Sequence, residues 1–398
     1  MKPDVEFSTS GFLLYVGRML PSNERLLLGP GPSPVSPRVM RAMAAPVLSH
    51  LDPDMMAILD DVRGRLRGPF GAAEPALTLA VSGTGTSGME TAVATLTSEG
   101  TRALVVVTGY FGDRLAQILE RYGARVERVD VEWGRACDPA QVEQALRRSG
   151  ADIVAAVHAE TSTGVLNPME EICAAASRHG ALTIVDAVTS LGAHPVQSDR
   201  WGIDFCYSCT QKGLGAPSGL APIAVSARAQ QRRVGCRSFY LDLALLEDYW
   251  VRRKYHHTLS APLMYALREA LVAIEEEGLD ARWARHRANH LALAAGLDAL
   301  GLRLLPPPAE RLWSLNAVVV PDGVDEAAVR RQLLQEFDIE IGAGLGPLAG
   351  RIWRVGLMGS GSTLRSVITF LNALEVVLRT RGYARGAGAS AAAVEAVR

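Results

Sequence analysis

Ser82-Gly83-Thr84-Gly85-Thr86-Ser87-Gly88 joins an apolar stretch, Ala76 to Ser82, to a helix-like stretch, Met89 to Leu96. In a strand–loop–helix unit the loop glycines, the hydroxyls and the first helical amides form an anion cradle, most naturally for a phosphate. The spacing Gly83-x-Gly85-x-x-Gly88 also matches the dinucleotide fingerprint. That fingerprint requires an acidic residue at the end of the next strand. Here the next strand ends Val107-Thr108-Gly109-Tyr110-Phe111, with no carboxylate. No Gly-Lys-Ser/Thr follows, so the loop is not a P-loop either. A phosphate site without a dinucleotide fits better; a purely structural glycine turn is the competing reading.

Around this loop strands and helices alternate. A helix is expected over Asp54 to Arg67. Strands are expected at Ala103 to Thr108, Arg125 to Val131, Ile153 to His158 and Leu182 to Asp186, with helices at Asp113 to Tyr122, Asp138 to Arg148 and Pro168 to His179 between them. Such alternation predicts an α/β fold with a mostly parallel sheet, and runs such as Leu104-Val105-Val106-Val107 suit strands covered on both faces. After Gly278 the texture changes. A long helix (Leu279 to Leu300), short strands and helices near Glu326 to Phe337 and Arg365 to Thr380 predict a smaller α+β domain. The expected division is an N-terminal arm (1–25), a large domain (26–278), a small C-terminal domain (279–383) and a Gly/Ala/Ser-rich disordered tail (384–398).

The 398 residues carry a formal net charge of −1, which points to neither nucleic acid nor an anionic membrane as partner. The apolar run Gly11 to Gly17 is too short to span a bilayer, so no signal peptide or transmembrane helix is expected. The five cysteines are scattered; Cys206-x-x-Cys209 has no second pair to complete a zinc site. A reducing, cytoplasmic location and no metal follow as expectations. The adjacent His256 and His257 are expected to point opposite ways, and His286 and His290 to lie on a solvated helix face.

Only three lysines occur among the 41 basic residues: Lys2, Lys212 and Lys254. A surface cation has no reason to escape that arginine bias, but an amine needed for Schiff-base chemistry or proton transfer does, since guanidinium provides neither. Lys212 lies in the tight stretch Thr210-Gln211-Lys212-Gly213-Leu214-Gly215-Ala216-Pro217. Asp186 ends another strand, where an acid can hold a protonated ring nitrogen, and Tyr110-Phe111 offers an aromatic face. Arg354, in Trp353-Arg354-Val355-Gly356, offers a fork for a substrate carboxylate. Phosphate cradle, aromatic, acid and lysine in this order describe a pyridoxal 5′-phosphate (PLP) enzyme.

The ordered set of Leu28-Gly29-Pro30-Gly31-Pro32, Ser82-Gly83-Thr84-Gly85, Glu160 through Pro168, Val185-Asp186-Ala187-Val188, Gln211-Lys212, Tyr255-His256-His257-Thr258 and Trp353-Arg354-Val355-Gly356 resembles the class V, fold-type I PLP-dependent aminotransferases, in the alanine–glyoxylate and serine–pyruvate group. The resemblance implies a seven-stranded-type sheet and a homodimer with its active site at the interface. It implies Lys212 as Schiff-base lysine and base, Asp186 on the ring nitrogen, Val188 and Phe111 against the ring, and Thr161 beside the ring hydroxyl. Thr84, Gly85, Thr86 and Gln211 would hold the phosphate, joined by Tyr255 and Thr258 from a second subunit. Arg354, with Gly31 at the entrance, would take the substrate carboxylate. Thr86 replaces a histidine frequent in animal members. His50 stands where relatives acting on ureidoglycine carry glutamine, which leans against that donor. The implied activity is transamination from alanine or serine to glyoxylate or pyruvate. The alternatives are another class V aminotransferase such as ureidoglycine–glyoxylate, a PLP lyase or desulfurase, and a dinucleotide-dependent oxidoreductase using the Gly83 loop.

Overall fold

Alternating apolar runs and amphipathic helices build a central sheet with helices packed on it. The computed structural model describes residues 24–398. The strands are β1 (Leu26–Leu28), β2 (Leu77–Ser82), β3 (Arg102–Val107), β4 (Arg125–Asp130), β5 (Ile153–Val157), β6 (Ala159–Glu160), β7 (Val165–Leu166), β8 (Leu182–Asp186), β9 (Phe205–Tyr207), β10 (Leu220–Val225), β11 (Leu315–Val319), β12 (Ile339–Ala343) and β13 (Ile352–Gly356). The principal helices are α1 (Pro53–Phe70), α2 (Gly85–Leu96), α3 (Tyr110–Arg121), α4 (Pro139–Ser149), α5 (Met169–Arg178), α6 (Ala261–Glu277), α7 (Leu279–Ala299), α8 (Glu326–Phe337), α9 (Leu364–Thr380) and α10 (Ala389–Glu395).

The large sheet has seven strands in the order β2-β10-β9-β8-β5-β3-β4. Only β10 runs against the others. The predicted mostly parallel α/β fold is therefore present. The parallel strands β3, β5 and β8 are buried along nearly their whole length, as expected of strands with helices on both faces. Because the strands point the same way, their carboxyl ends lie along one edge, which is where such sheets place ligands.

A second sheet, β1-β12-β13-β11, has its own core, including Leu28, Trp353, Val355, Phe370 and Leu374. Leu26–Leu28, expected to open the large domain, pairs in parallel with Ile339–Ile341 and so belongs to this second sheet. Three residues carry too little pattern to reveal a partner more than 300 positions away. The expected arm falls largely outside the described residues. The tail also differs from expectation: Ala389–Glu395 forms α10, packed on α7 and α9 with Ala389 and Ala393 fully buried. Gly296 lets the backbones approach so closely that a Cβ there would lie 2.9 Å from the Ala389 carbonyl. The small residues that read as low complexity are a close-packed helix contact.

His286 and His290 are likewise not on a solvated face: they are 0% and 4% exposed. α7 is wedged between α6, α9 and α10, so its outer side is covered too. His286 donates from Nδ1 to the Arg282 carbonyl (2.8 Å), and His290 Nδ1 meets Asn316 Oδ1 at 2.6 Å. Burial lowers the pKa of His286 to about 3 and those of His290 and His158 to about 4, and holds His194 well below its ordinary value. In the unfolded chain these rings titrate at about 6.5. Between the two values the unfolded state binds more protons, so their contribution is complete above about pH 6.5 and is lost as the pH falls toward 4. The urea midpoint is expected to drop over that window. The drop should be shallower in His290→Gln, which can still hydrogen-bond to Asn316 but cannot charge.

Candidate active site

Lys212 lies in the loop between β9 and β10, at the carboxyl edge of the large sheet. The loop is clamped from three sides. Ser33 Oγ donates to the Lys212 carbonyl (3.0 Å) and Ser33 N–H to the Gln211 carbonyl (2.8 Å). Arg282, buried, donates to the carbonyls of Gly192 and Gly213 at 2.8 and 2.7 Å. Gly31, at φ +109°, presses on the lysine stem: a Cβ there would come to 3.0 Å from Lys212 Cγ. The side chain, 7% exposed, ends between two hydroxyls, donating to Thr161 Oγ1 (3.0 Å) and Thr189 Oγ1 (2.8 Å). Burial lowers its pKa from the ordinary lysine value, which favours the neutral, nucleophilic amine.

Asp186, at the end of β8, is buried. Its Oδ1 accepts from Val188 N–H (2.8 Å) and its Oδ2 from the Tyr207 hydroxyl (3.0 Å). Burial raises its pKa to about 6, opposed by those bonds and by Lys212. Phe111 lies in the first turn of α3, just beyond β3, with Lys212 Nζ 5.6 Å from its ring centroid. Its backbone is fixed by a carboxylate to which sequence reasoning gave no role. Buried Glu160 accepts from the N–H groups of Phe111 and Gly112 (both 3.2 Å) and from Ser162 N–H (3.0 Å) and Oγ (2.6 Å). Thr189 and Tyr207 were also missed.

The Gly83 loop caps α2. Thr84 is its N-cap residue with extended backbone, and its hydroxyl makes no capping bond. The first helical amides therefore face outward, a natural anion site. Val188 borders it, since a Cβ on Gly85 would lie 3.0 Å from Val188 Cγ2. Thr86 is exposed beside Arg114 Nη1 (3.5 Å). Gln211 Oε1 is buried without a hydrogen-bond partner.

The second sheet delivers Arg354 on β13. Its Nε donates to the Ala343 carbonyl (2.6 Å) and its Nη1 to the Thr161 carbonyl (3.4 Å), so it meets the residue whose hydroxyl holds Lys212. Arg354 is 7% exposed, and burial lowers its pKa to about 10. Among the described residues no carboxylate pairs with it. Glu160 acts on it only through space; a buried guanidinium with no carboxylate in direct contact is costly and leaves its fork open to an anionic ligand.

A family model described as aminotransferase class-V matches residues 26–375. The chain belongs to the class V aminotransferases. It is 46% identical to a solved alanine–glyoxylate aminotransferase from Nostoc sp. (TM-score 0.88, covering 90% of this chain and 97% of that one). It is 39% identical to the ureidoglycine–glyoxylate aminotransferase structure from Bacillus subtilis (TM-score 0.92; 95% and 99%). Alanine–glyoxylate aminotransferase of Drosophila melanogaster is 35% identical over 377 residues (92% and 95%). The expected family, fold type, enzyme class and PLP dependence all stand.

The residues present fit the cofactor. The unfilled α2 N-terminus with Thr84, Gly85 and Thr86 suits its phosphate, Asp186 its ring nitrogen, Phe111 and Val188 its ring faces, and Lys212 its aldehyde carbon. The structure brings Phe111, Thr161, Asp186, Val188, Gln211, Lys212, Gly31 and Arg354 together. It does not bring His50, Tyr255 and Thr258 to Lys212. Tyr255 is 60% exposed, Thr258 is exposed, and the Tyr255 ring packs 5.1 Å from that of His50. His256 and His257 do not point apart: their Nδ1 atoms are 2.7 Å from each other. No cluster of three metal-ligating residues occurs among the described residues. If Arg354 is the carboxylate clamp, Arg354→Lys, which loses the planar fork, is expected to raise KM for the amino donor about tenfold or more. PLP titration should show cofactor affinity unchanged within about twofold.

Proposed function

We propose that this aminotransferase moves an amino group from alanine or serine to glyoxylate or pyruvate in a ping-pong cycle. The observation that carries the reading is the buried, carboxylate-free Arg354 fork joined through Thr161 to the Lys212 amine. Arg354 binds the carboxylate shared by donor and acceptor, which places the donor's α-carbon near Lys212. PLP, when bound, supplies the electron sink that makes the α-proton acidic. Lys212 Nζ takes that proton and returns it, with the hydroxyls of Thr161 and Thr189 orienting the amine. Asp186, whose charged form Tyr207 and Val188 N–H favour, would hold the cofactor's ring nitrogen in its protonated form. Gly31, at φ +109° against the lysine stem, leaves room beside Lys212 that a larger residue would fill.

The working unit in this reading is a homodimer. Tyr255 and Thr258, which the motif assigns to the phosphate, lie exposed on their own chain, as residues directed to a second subunit would. The five unpaired cysteines fit a reducing, cytoplasmic compartment. Among the described residues no helix is long and apolar enough to cross a membrane.

A second reading takes ureidoglycine as donor, favoured by the Bacillus subtilis relative at 39% identity. The two are separated by kcat/KM for L-alanine, L-serine and ureidoglycine with glyoxylate as acceptor. Alanine or serine is expected to exceed ureidoglycine by about tenfold or more, a difference that one or two pocket contacts supply. The reverse order would establish the second reading.

A further inference from the structure

The anion loop leaves the sheet from an unusual position. β2 is an edge strand, paired only with β10, where Ser82 faces Leu220. An edge residue is held from one side only, yet Ser82 sets where Gly83, Thr84 and Gly85 begin. Beyond that pairing, Ser82 is held by a chain of groups that the catalytic reading does not use. The Phe239 carbonyl lies 3.0 Å from His256 Nε2, His256 Nδ1 2.7 Å from His257 Nδ1, and His257 Nε2 2.7 Å from Ser82 Oγ. The Tyr240 hydroxyl adds a bond to the Ser82 carbonyl (3.4 Å).

With both rings neutral, one proton assignment satisfies the chain. A carbonyl only accepts, so His256 Nε2 carries hydrogen and His256 Nδ1 is bare. His257 Nδ1 must then donate to it, which leaves His257 Nε2 bare to accept from the Ser82 hydroxyl. The Phe239 carbonyl thus sets, two imidazoles away, the direction of the bond on Ser82. The rings are packed in place: His256 stacks on Phe239 (5.3 Å, 18°), and His257 meets Tyr249 edge-on (5.6 Å, 71°). Burial lowers the pKa of His257 to about 4, which keeps its acceptor nitrogen bare at neutral pH.

We propose that His257, set in a single tautomer by His256, is a positioning residue that fixes Ser82 and thereby the anion-binding first turn of α2. The proposal rests on the reading of the Gly83–Thr86 loop as the phosphate site. The test compares equilibrium binding of PLP and of pyridoxal, which lacks the phosphate, to the wild type, His257→Phe, Ser82→Ala and the double variant. His257→Phe keeps the ring volume, and Ser82→Ala removes the same bond from its other end without disturbing the imidazoles. Each single variant is expected to weaken PLP binding about tenfold, the scale of one hydrogen bond, and to leave pyridoxal binding within about twofold. The double variant should lose no more than either single one, and His257→Gln, whose amide oxygen can accept from Ser82, should recover most of the loss. Unchanged PLP affinity in both single variants, or equal losses for PLP and pyridoxal, would overturn the proposal. A wild type that binds PLP no better than pyridoxal would instead overturn the phosphate reading of the loop.

Discussion

The burial of one amine organises this molecule. Taking Lys212 out of water disfavours its charged form, and the structure answers with two hydroxyls rather than a carboxylate at hydrogen-bond distance. An acid there would hold the lysine as an ammonium ion; Thr161 and Thr189 hold it in place and leave the amine available. Asp186, a buried acid that acts on the amine through space, is bonded instead to Tyr207 and Val188 N–H. The site thus keeps an amine and a carboxylate buried together without letting them neutralise each other in a direct pair.

That separation depends on the two sheets. The parallel sheet sets Ser82, Phe111, Asp186 and the Lys212 loop along one edge. The second sheet adds Arg354, and the short strand β1 ties the segment containing Gly31 and Ser33 to both. Close contacts at Gly342 and Gly356 seat Pro30 and Gly29 on β12 and β13, while Gly31 and Ser33 touch the lysine and its backbone. A shift of the second sheet therefore moves Arg354 and the lysine stem together.

The parallel sheet was legible because continuous apolar runs and helical periods alternate, and most helices lie within a few residues of expectation. Lys212 stood out because an arginine-biased chain retained a lysine in a glycine-rich loop, and Asp186 because it ends an apolar strand. Glu160, Thr189 and Tyr207 carried no such signal: their roles lie in which atom each side chain meets, and nothing in spacing encodes that. The helix Ala389–Glu395 was hidden because alanine and glycine read as featureless until Gly296 is opposite. The buried His286 and His290 were misread for a related reason, since a helix covered on several sides has no polar face to betray it.

The central claim is that Lys212 holds PLP and runs amino transfer. Its most direct test is the visible spectrum of the purified protein with PLP, followed through addition of L-alanine and then glyoxylate, alongside Lys212→Ala. The account predicts a yellow protein whose colour bleaches with alanine and returns with glyoxylate, and a lysine variant unable to complete the cycle. A wild-type protein that stays colourless and takes up no PLP, or a variant that turns over repeatedly, would contradict it.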